Sequence, residues 1–222
     1  MSGQQRVVIV GNGQVAELAL ARLRRDTALQ VAGFAVDRAY IRSPELLGLP
    51  VHAFEDIASH YPPDTHLAVV AIGPTAVNRI RAERFDQARA LGYRFVNLIS
   101  PRASVWPGVV MGENCTIGDG CVIQPYTRLG DNVHVGSGSV VGHHVVLEDH
   151  CYLAASVALA GSVTIGRAAL LGVGAVVRDR VRVGAEAVLG AGVVLSGHAQ
   201  ARAVYAAPQP VLLPVSSDKL PL

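Results

Sequence analysis

Residues 133–150 read VHVGSG SVVGHH VVLEDH, and they lie in the middle of a stretch, Ala103–His198, that decides the fold. When this stretch is divided into sixes, the first position of each six holds a small or compact residue, and the fourth is often glycine. The third position is aliphatic sixteen times in succession, with no break of phase: Val105, Met111, Ile117, Ile123, Leu129, Val135, Val141, Leu147, Leu153, Leu159, Ile165, Leu171, Val177, Val183, Leu189 and Leu195. A period of six fits neither an α-helix nor a meander of hairpins.

The six-residue period predicts a parallel β-helix. The first and third positions are two residues apart, so on a strand both side chains face the same way, into the interior. The residues after the third position turn a corner, where glycine relieves the backbone. Three short strands make one triangular coil of eighteen residues, so residues i and i+18 stack about 4.8 Å apart.

The first hundred residues alternate apolar strands with helices. The pattern predicts strands at 6–10, 30–36, 46–51, 67–72 and 95–98, and helices at 14–25, 54–60 and 75–91. Such alternation predicts an α/β unit, a small parallel sheet with helices on its faces. We therefore expect a Rossmann-like domain at 1–100, the β-helix at 101–198 and a proline-rich cap or tail at 199–222, since proline cannot continue a sheet.

A possible nucleotide site lies at the carboxyl ends of the predicted parallel strands. Gly11, Asn12 and Gly13 follow the first strand and open a helix, where backbone N–H groups can bind a phosphate. Asp37 ends the second strand, where an acidic residue often binds ribose hydroxyls, and Gly73 ends another. The third glycine of the dinucleotide motif is absent, so a tight turn with a capping aspartate is an equal alternative.

Composition excludes several classes of function. The net charge is +2 with no dense Lys/Arg block, which disfavours nucleic-acid binding. No apolar run is long enough for a membrane span, and no secretory signal pattern opens the chain, so we expect a cytoplasmic protein. The three cysteines, Cys115, Cys121 and Cys151, occupy interior positions of the sixes and are expected to be buried thiols.

The polar feature of the coils with chemical potential is the pair His143 and His144. The inward positions are Val141 and Val145, so both imidazoles are expected at an outward corner. An imidazole is a suitable general base near neutral pH. Gly161 follows His143 by eighteen residues, so its N–H can bind an acyl oxygen one coil away. The alternative is that both histidines are merely solvated corner residues.

These features together resemble the bacterial sugar acyltransferases of the sialic-acid O-acetyltransferase type, which include bacillosamine and perosamine N-acetyltransferases. The resemblance covers nearly the whole chain and rests on residues 8–11, 71–73, 96–99, 142–144 and 160–166. It implies a left-handed β-helix, a homotrimer with active sites between neighbouring coils, and a nucleotide-linked sugar held by the N-terminal domain. It also implies acetyl-CoA along the coil groove, contacting Tyr152, Gly161, Gly172 and Gly174.

In that family the base matches His143, and the N–H matching Gly161 binds the thioester carbonyl. Some members place an acid directly after the base, where this chain has His144. Either another acid orients His143, such as Glu148, Asp149 or a neighbour's residue, or none does. Because His144 occupies the position of that acid, the predicted catalytic residues are His143, His144 and Gly161.

The leading hypothesis is an acetyl-CoA-dependent acetyltransferase that acts on an amino or hydroxyl group of a sugar in surface polysaccharide, such as lipopolysaccharide, biosynthesis. Direct attack on the thioester is expected, because no cysteine or serine lies suitably beside the base, and no metal is expected. One alternative is a non-catalytic trimeric scaffold that binds a nucleotide sugar. Another is a zinc hydrolyase like the γ-class carbonic anhydrases, with ligands among His134, His143, His144 and His150, although their spacing does not match.

Overall fold

A computed structural model describes residues 5–211 and residue 214; the rest of the predicted cap or tail lies outside the described residues. The N-terminal unit contains β1 (Arg6–Val10), α1 (Gln14–Asp26), β2 (Gln30–Val36), β3 (Glu45–Leu46), β4 (Leu49–Ala53), α2 (Ile57–His60), β5 (His66–Val70) and α3 (Arg79–Ala90), with 3-10 turns at Arg38–Tyr40 and Phe54–Asp56. The strand order is β3-β4-β2-β1-β5, parallel except for the β3–β4 pair. No helix in the described residues is long and apolar enough to cross a membrane.

The coils consist of two-residue parallel strands on three faces. The first face contains Leu98–Ile99, Thr116–Ile117, His134–Val135, Tyr152–Leu153, Leu170–Leu171, Val188–Leu189 and Val204–Tyr205. The second face contains Ser104–Val105, Val122–Ile123, Val140–Val141, Ala158–Leu159, Val176–Val177 and Val194–Leu195. The third face contains Val110–Met111, Arg128–Leu129, Val146–Leu147, Thr164–Ile165 and Arg182–Val183.

The coil interior follows the hexad pattern. Strands eighteen residues apart pair in register, as Val140 does with Val122 and Ala158. Third-position side chains are buried from Ile117 to Leu195, and those of the first coil are partly buried. The predicted phase therefore directs the third-position side chains into the coil interior.

The corner glycines serve a different purpose from the one expected. A Cβ on Gly142 would lie 2.8 Å from the backbone of Ala160 in the next coil, so the fourth position needs glycine for close approach. Positive φ angles fall instead at the sixth position, where non-glycine residues such as His144 (φ 58°) and Ser162 (φ 60°) adopt them. Contact between coils, rather than relief of the backbone, thus explains the fourth-position glycines.

The N-terminal unit packs on the first face of the coils through buried polar contacts. The Arg81 guanidinium donates to the backbone oxygen of Asn132 at 2.5 Å and to that of His150 at 2.7 Å. Asn114 exchanges two hydrogen bonds with the backbone of Val70, at the end of β5. Because these hydrogen bonds are buried, they hold the sheet and the coils in one fixed relation.

The single strand expected at 46–51 is the antiparallel pair β3 and β4, and two further predicted elements differ. The helix expected from residue 75 begins only at Arg79, because Ala76, Val77 and Asn78 form a left-handed turn with φ angles of 52°, 53° and 63°. The buried Asn78 amide donates to the Ala168 oxygen at 3.0 Å, and this contact holds the turn against the coil. In place of a strand at 95–98, Phe95 makes one bridge to the sheet, and Leu98–Ile99 already belongs to the coils.

Candidate active site

His143 and His144 lie at the corner between the second and third faces. Their neighbours Val141 and Val145 are buried in the coil, so both imidazoles face outward and are exposed. The His143 N–H donates to the side-chain oxygen of Gln124 at 3.0 Å, which fixes the corner backbone. The hexad phase alone therefore determines that this pair is accessible to a substrate.

The His143 ring lies directly over Gly161 of the next coil. A Cβ built on Gly161 would lie 2.5 Å from Cε1 and 2.6 Å from Nε2 of His143, so only glycine leaves room for the ring. Within residues 5–211, the Gly161 N–H has no hydrogen-bond acceptor. A carbonyl oxygen bound by this N–H would lie beside an imidazole, which is the arrangement that acyl transfer requires.

The ring of His143 is contacted by the next residue along the chain. The two Nδ1 atoms of His143 and His144 are 3.1 Å apart, so one must donate and the other accept. If His143 donates, its Nε2 carries a lone pair and can accept a proton. Glu148 and Asp149, the acids considered from sequence, accept backbone N–H groups of other residues instead.

The predicted nucleotide residues line one cleft of about 560 Å³ at the carboxyl end of the sheet. Gly11 has a φ of 125°, and a Cβ there would lie 2.6 Å from the Ala71 oxygen. The Asn12 amide donates to the Tyr40 oxygen at 3.0 Å, and Gly13 precedes the first residue of α1. Gly73 and Asp37 line the same cleft, so the structure brings all five predicted nucleotide residues together there.

Arg84 is a cleft residue that the sequence reasoning missed. Its guanidinium forms two hydrogen bonds with the Asp37 carboxylate, at 2.7 and 2.6 Å, and these bonds lower the pKa of Asp37. The two residues are 47 positions apart. Since Arg84 lies inside a helix with no motif around it, only the packing of α3 against the sheet reveals the pair.

Comparison with known proteins agrees with this geometry. The model of the bacterial transferase hexapeptide (six repeats) matches residues 98–130 and 126–161, and that of the hexapeptide repeat of succinyl-transferase matches 162–196. A histidine-to-asparagine variant of perosamine N-acetyltransferase from Caulobacter crescentus, solved with CoA and GDP-perosamine, is 31% identical, with a TM-score of 0.84 over 93% of this chain and 95% of that one. The chain belongs to the bacterial hexapeptide-repeat transferases.

Two further solved structures are similar to this transferase over most of their length. The acetyltransferase domain of PglB from Neisseria gonorrhoeae FA1090, solved with acetyl coenzyme A, is 25% identical, with a TM-score of 0.81 over 92% of this chain and 97% of that one. WeeI from Acinetobacter baumannii AYE shares the fold at 21% identity, with a TM-score of 0.73 over 89% and 94% of the two chains. A search of curated protein sequences finds no match. The predicted family, enzyme class and fold, with its left-handed β-helix, are confirmed.

The predicted coenzyme residues are not gathered within one chain of this transferase. Gly161 lies under His143, whereas Tyr152 lies on the first face, with its ring stacked on His134 at 4.2 Å. Gly172 and Gly174 follow at the corner between the first and second faces. A Cβ on Gly172 would lie 2.6 Å from the next coil, and Gly174 has a φ of 69°, so local backbone needs explain both glycines.

No observation supports a zinc site. In the part of the chain that the structure describes, no group of three or more His, Cys, Asp and Glu side chains is arranged to hold a metal ion. His150 is buried against Asn132 at 2.9 Å, and His134 lies under the N-terminal unit, so neither is near the His143 corner. The cysteines are buried, and burial raises the pKa of the Cys115 thiol to about 12, so they are unsuited to attack a thioester.

Proposed function

We propose that this transferase moves the acetyl group of acetyl-CoA to an amino or hydroxyl group of a nucleotide-linked sugar in surface polysaccharide biosynthesis, and that it does so in the cytoplasm. The observation that carries the proposal is the His143 imidazole over Gly161, whose backbone N–H has no acceptor among the described residues. Relatives solved with CoA and GDP-perosamine, or with acetyl coenzyme A, support the donor and the class of acceptor.

The mechanism follows from the two groups at the corner. Nε2 of His143 accepts the proton of the sugar amine or hydroxyl as that atom attacks the thioester carbonyl carbon. The Gly161 N–H donates to the carbonyl oxygen as negative charge develops there. The carbon–sulfur bond then breaks, and His143 returns its proton to the departing sulfur. The buried cysteines support direct transfer without an acyl-enzyme.

The site is proposed to form between two chains of a homotrimer. The N-terminal unit covers the first face of the triangular coil, and the His143 corner is the vertex opposite that face. One chain therefore holds the nucleotide cleft and the base on opposite sides of its coil. The second face adds an outward ladder of apolar residues suited to a partner chain: Val122, Val140, Ala158, Val176 and Val194.

The base is tested by His143→Ala. The side chain is exposed, so the variant is expected to fold and assemble like the wild type while transfer falls about 10²- to 10⁴-fold. Transfer is measured as free thiol released from acetyl-CoA with a panel of GDP- and UDP-linked amino sugars. Near-normal turnover would reject His143 as the base, and no turnover by the wild type with any sugar would reject the activity.

The shared site is tested by mixing two inactive chains. Gly13→Phe fills the nucleotide cleft, where a Cβ on Gly13 meets nothing within 4 Å, and leaves His143 intact. After the Gly13→Phe and His143→Ala proteins are unfolded and refolded together, about one quarter of the sites in random trimers combine an intact corner with an intact cleft. Recovery of activity in the mixture supports the shared site. No recovery, with mixed trimers verified by mass, rejects it.

A further inference from the structure

Tyr126 and His143 both contact the His144 ring. The Nδ1 atoms of the two histidines are 3.1 Å apart, and the ring centroids of Tyr126 and His144 are 4.7 Å apart, with 34° between their planes. All three side chains are exposed, so the surrounding fold does not confine the His144 ring. The direction of that ring therefore depends on these two contacts.

The contact between Tyr126 and His144 follows from the geometry of the coils. Both residues occupy sixth positions of their hexads, eighteen residues apart, and both have a left-handed backbone, with φ angles of 64° and 58°. The His144 N–H donates to the carbonyl oxygen of Pro125 in the preceding coil at 3.1 Å, which holds one corner above the other. Because the two backbones are alike and stacked, their side chains leave the corner side by side, and the rings meet.

Positive charge forms at this corner in the proposed reaction. Nε2 of His143 takes the substrate proton while the Nδ1–H of His143 donates to Nδ1 of His144, so two hydrogen-bonded imidazoles share the charge. The face of an aromatic ring attracts a cation that lies within about 6 Å of its centroid. The Tyr126 ring lies within that distance of His144, so it stabilises the protonated pair more than the neutral pair.

Uncharged residues flank the histidine pair on the neighbouring coils. Gln124 and Tyr126 precede the pair by one coil, and Gly161 and Ser162 follow it by one coil. The charged residues closest along this part of the coil surface are exposed: Arg128 on the third face, and Arg178, Asp179 and Arg180 at the same corner two coils further on. Two coils correspond to roughly 10 Å, and salt screens exposed charges at that distance.

We propose that Tyr126 is a positioning residue of the transfer reaction: its ring holds His144 against His143 and stabilises the positive charge that the two imidazoles share. This assignment rests on the proposed function. Tyr126 acts through His144 and does not touch the reacting atoms. The hydroxyl of Tyr126 has no part in the proposal, which depends on the face of the ring alone.

The test uses two substitutions of Tyr126. Tyr126→Asn removes the ring, and asparagine tolerates the φ of 64° at this position. Tyr126→Phe is the matched control, because it keeps the ring face and removes only the hydroxyl. Tyr126 is 70% exposed, so both variants are expected to fold like the wild type, which thermal melting verifies.

Acetyl transfer is followed as thiol release from about pH 5 to pH 8. We expect Tyr126→Asn to lower kcat about 3- to 10-fold, with the KM values of acetyl-CoA and the sugar unchanged. The acidic limb of its kcat profile should move to lower pH by about half a unit, because the protonated pair loses the ring face. Tyr126→Phe should match the wild type in both respects.

A double-mutant cycle determines whether Tyr126 acts through His144. In a His144→Leu background, which lacks the second imidazole, Tyr126→Asn is expected to change kcat by less than about twofold. An equal loss of kcat in both backgrounds would show that Tyr126 contacts the substrate directly and would overturn the proposal. A loss as large in Tyr126→Phe, or a lowered kcat with an unmoved acidic limb, would overturn it as well.

A readout that needs no turnover separates this proposal from the proposed function. The imidazole signals of histidine-labelled protein are followed by NMR over the same pH range, with His143 and His144 assigned from the His143→Ala and His144→Leu variants. The titration of the pair should move by the same half unit in Tyr126→Asn and stay in place in Tyr126→Phe. An unmoved titration in Tyr126→Asn overturns the role of Tyr126, whereas a wild type that transfers no acetyl group rejects the enzyme.

Discussion

Replacing Gly161 with alanine gives the sharpest test of the corner. The new Cβ would lie 2.5 Å from Cε1 of His143, whereas carbon atoms in contact are about 3.5–4.0 Å apart, so the ring must move by at least roughly 1 Å. His143 is exposed and free to swing outward, and the φ of Gly161 is not positive. The displacement therefore falls on the base and leaves the coil intact.

The expected loss can be worked out from this displacement. A misplacement of about 1 Å costs on the order of 10²-fold in rate, which corresponds to about 2.7 kcal/mol of transition-state stabilisation. The alanine keeps its N–H, so the acyl oxygen still has its donor, and the loss is expected in kcat. The free energy of unfolding is expected to change by less than about 0.5 kcal/mol, the usual range for surface substitutions.

Two matched glycines separate this effect from damage to the fold. A Cβ on Gly142 would lie 2.8 Å from the backbone of the next coil, so Gly142→Ala is expected to lower stability. A Cβ on Gly197 would meet nothing within 4 Å, so Gly197→Ala should change neither property. Steady-state thiol release and thermal melting are measured for all three. A kcat within threefold of wild type for Gly161→Ala would refute the argument that His143 acts above Gly161.

Three further predictions concern the base, the interface between the two units and the acid stability. His144→Asn keeps an acceptor for Nδ1 of His143, and asparagine tolerates the φ of 58° at this position. The kcat of His144→Asn should therefore exceed that of His144→Leu about 10-fold. Equal kcat values would show that His144 does not orient the His143 ring. Arg81→Met leaves buried carbonyl oxygens without donors and should destabilise the protein by about 3 kcal/mol, or roughly 6–12 °C in Tm by calorimetry. Hydrogen bonds from Arg25 lower the pKa of Asp119 to about 2, below the value of about 3.9 in the unfolded chain. The ionised Asp119 carboxylate therefore stabilises the fold above about pH 4, and this stabilisation is lost as the pH falls towards 2. Urea midpoints of wild type and Asp119→Asn should therefore differ at pH 7 and converge near pH 2; a constant difference would contradict the ion pair.

Much of the candidate site was predictable because the coils stack at a constant interval of eighteen residues along the chain. A stacking interval of eighteen residues places Gly161 under His143 whatever the remaining side chains are, and the structure brings the two together. Their catalytic roles stay predictions. The same reasoning places Tyr152 on the first face, but hexad phase does not tell that the N-terminal unit covers that face. The predicted coenzyme contact of Tyr152 stays a prediction.

The N-terminal unit was predictable in outline and not in detail. Its strands follow from continuous apolar runs, but no glycine marks the left-handed turn at residues 76–78. It exists because Asn78 is drawn to a backbone oxygen of Ala168, ninety residues away. Local propensity contains no information about that contact, and a buried hydrogen bond outweighs the preference for a longer helix.

The sequence by itself determined the repeat, the order of the two units, the outward corner of His143 and the glycine beneath it. The order of the units follows from the change of pattern near residue 100, and the other features follow from the constant interval between stacked residues. Only the tertiary structure decided that Arg84 binds Asp37, that the His144 ring contacts the His143 ring and that α1 packs beside Tyr152 on the first face. These depend on side-chain directions and on how the sheet packs against the coils, and no period in the sequence encodes either.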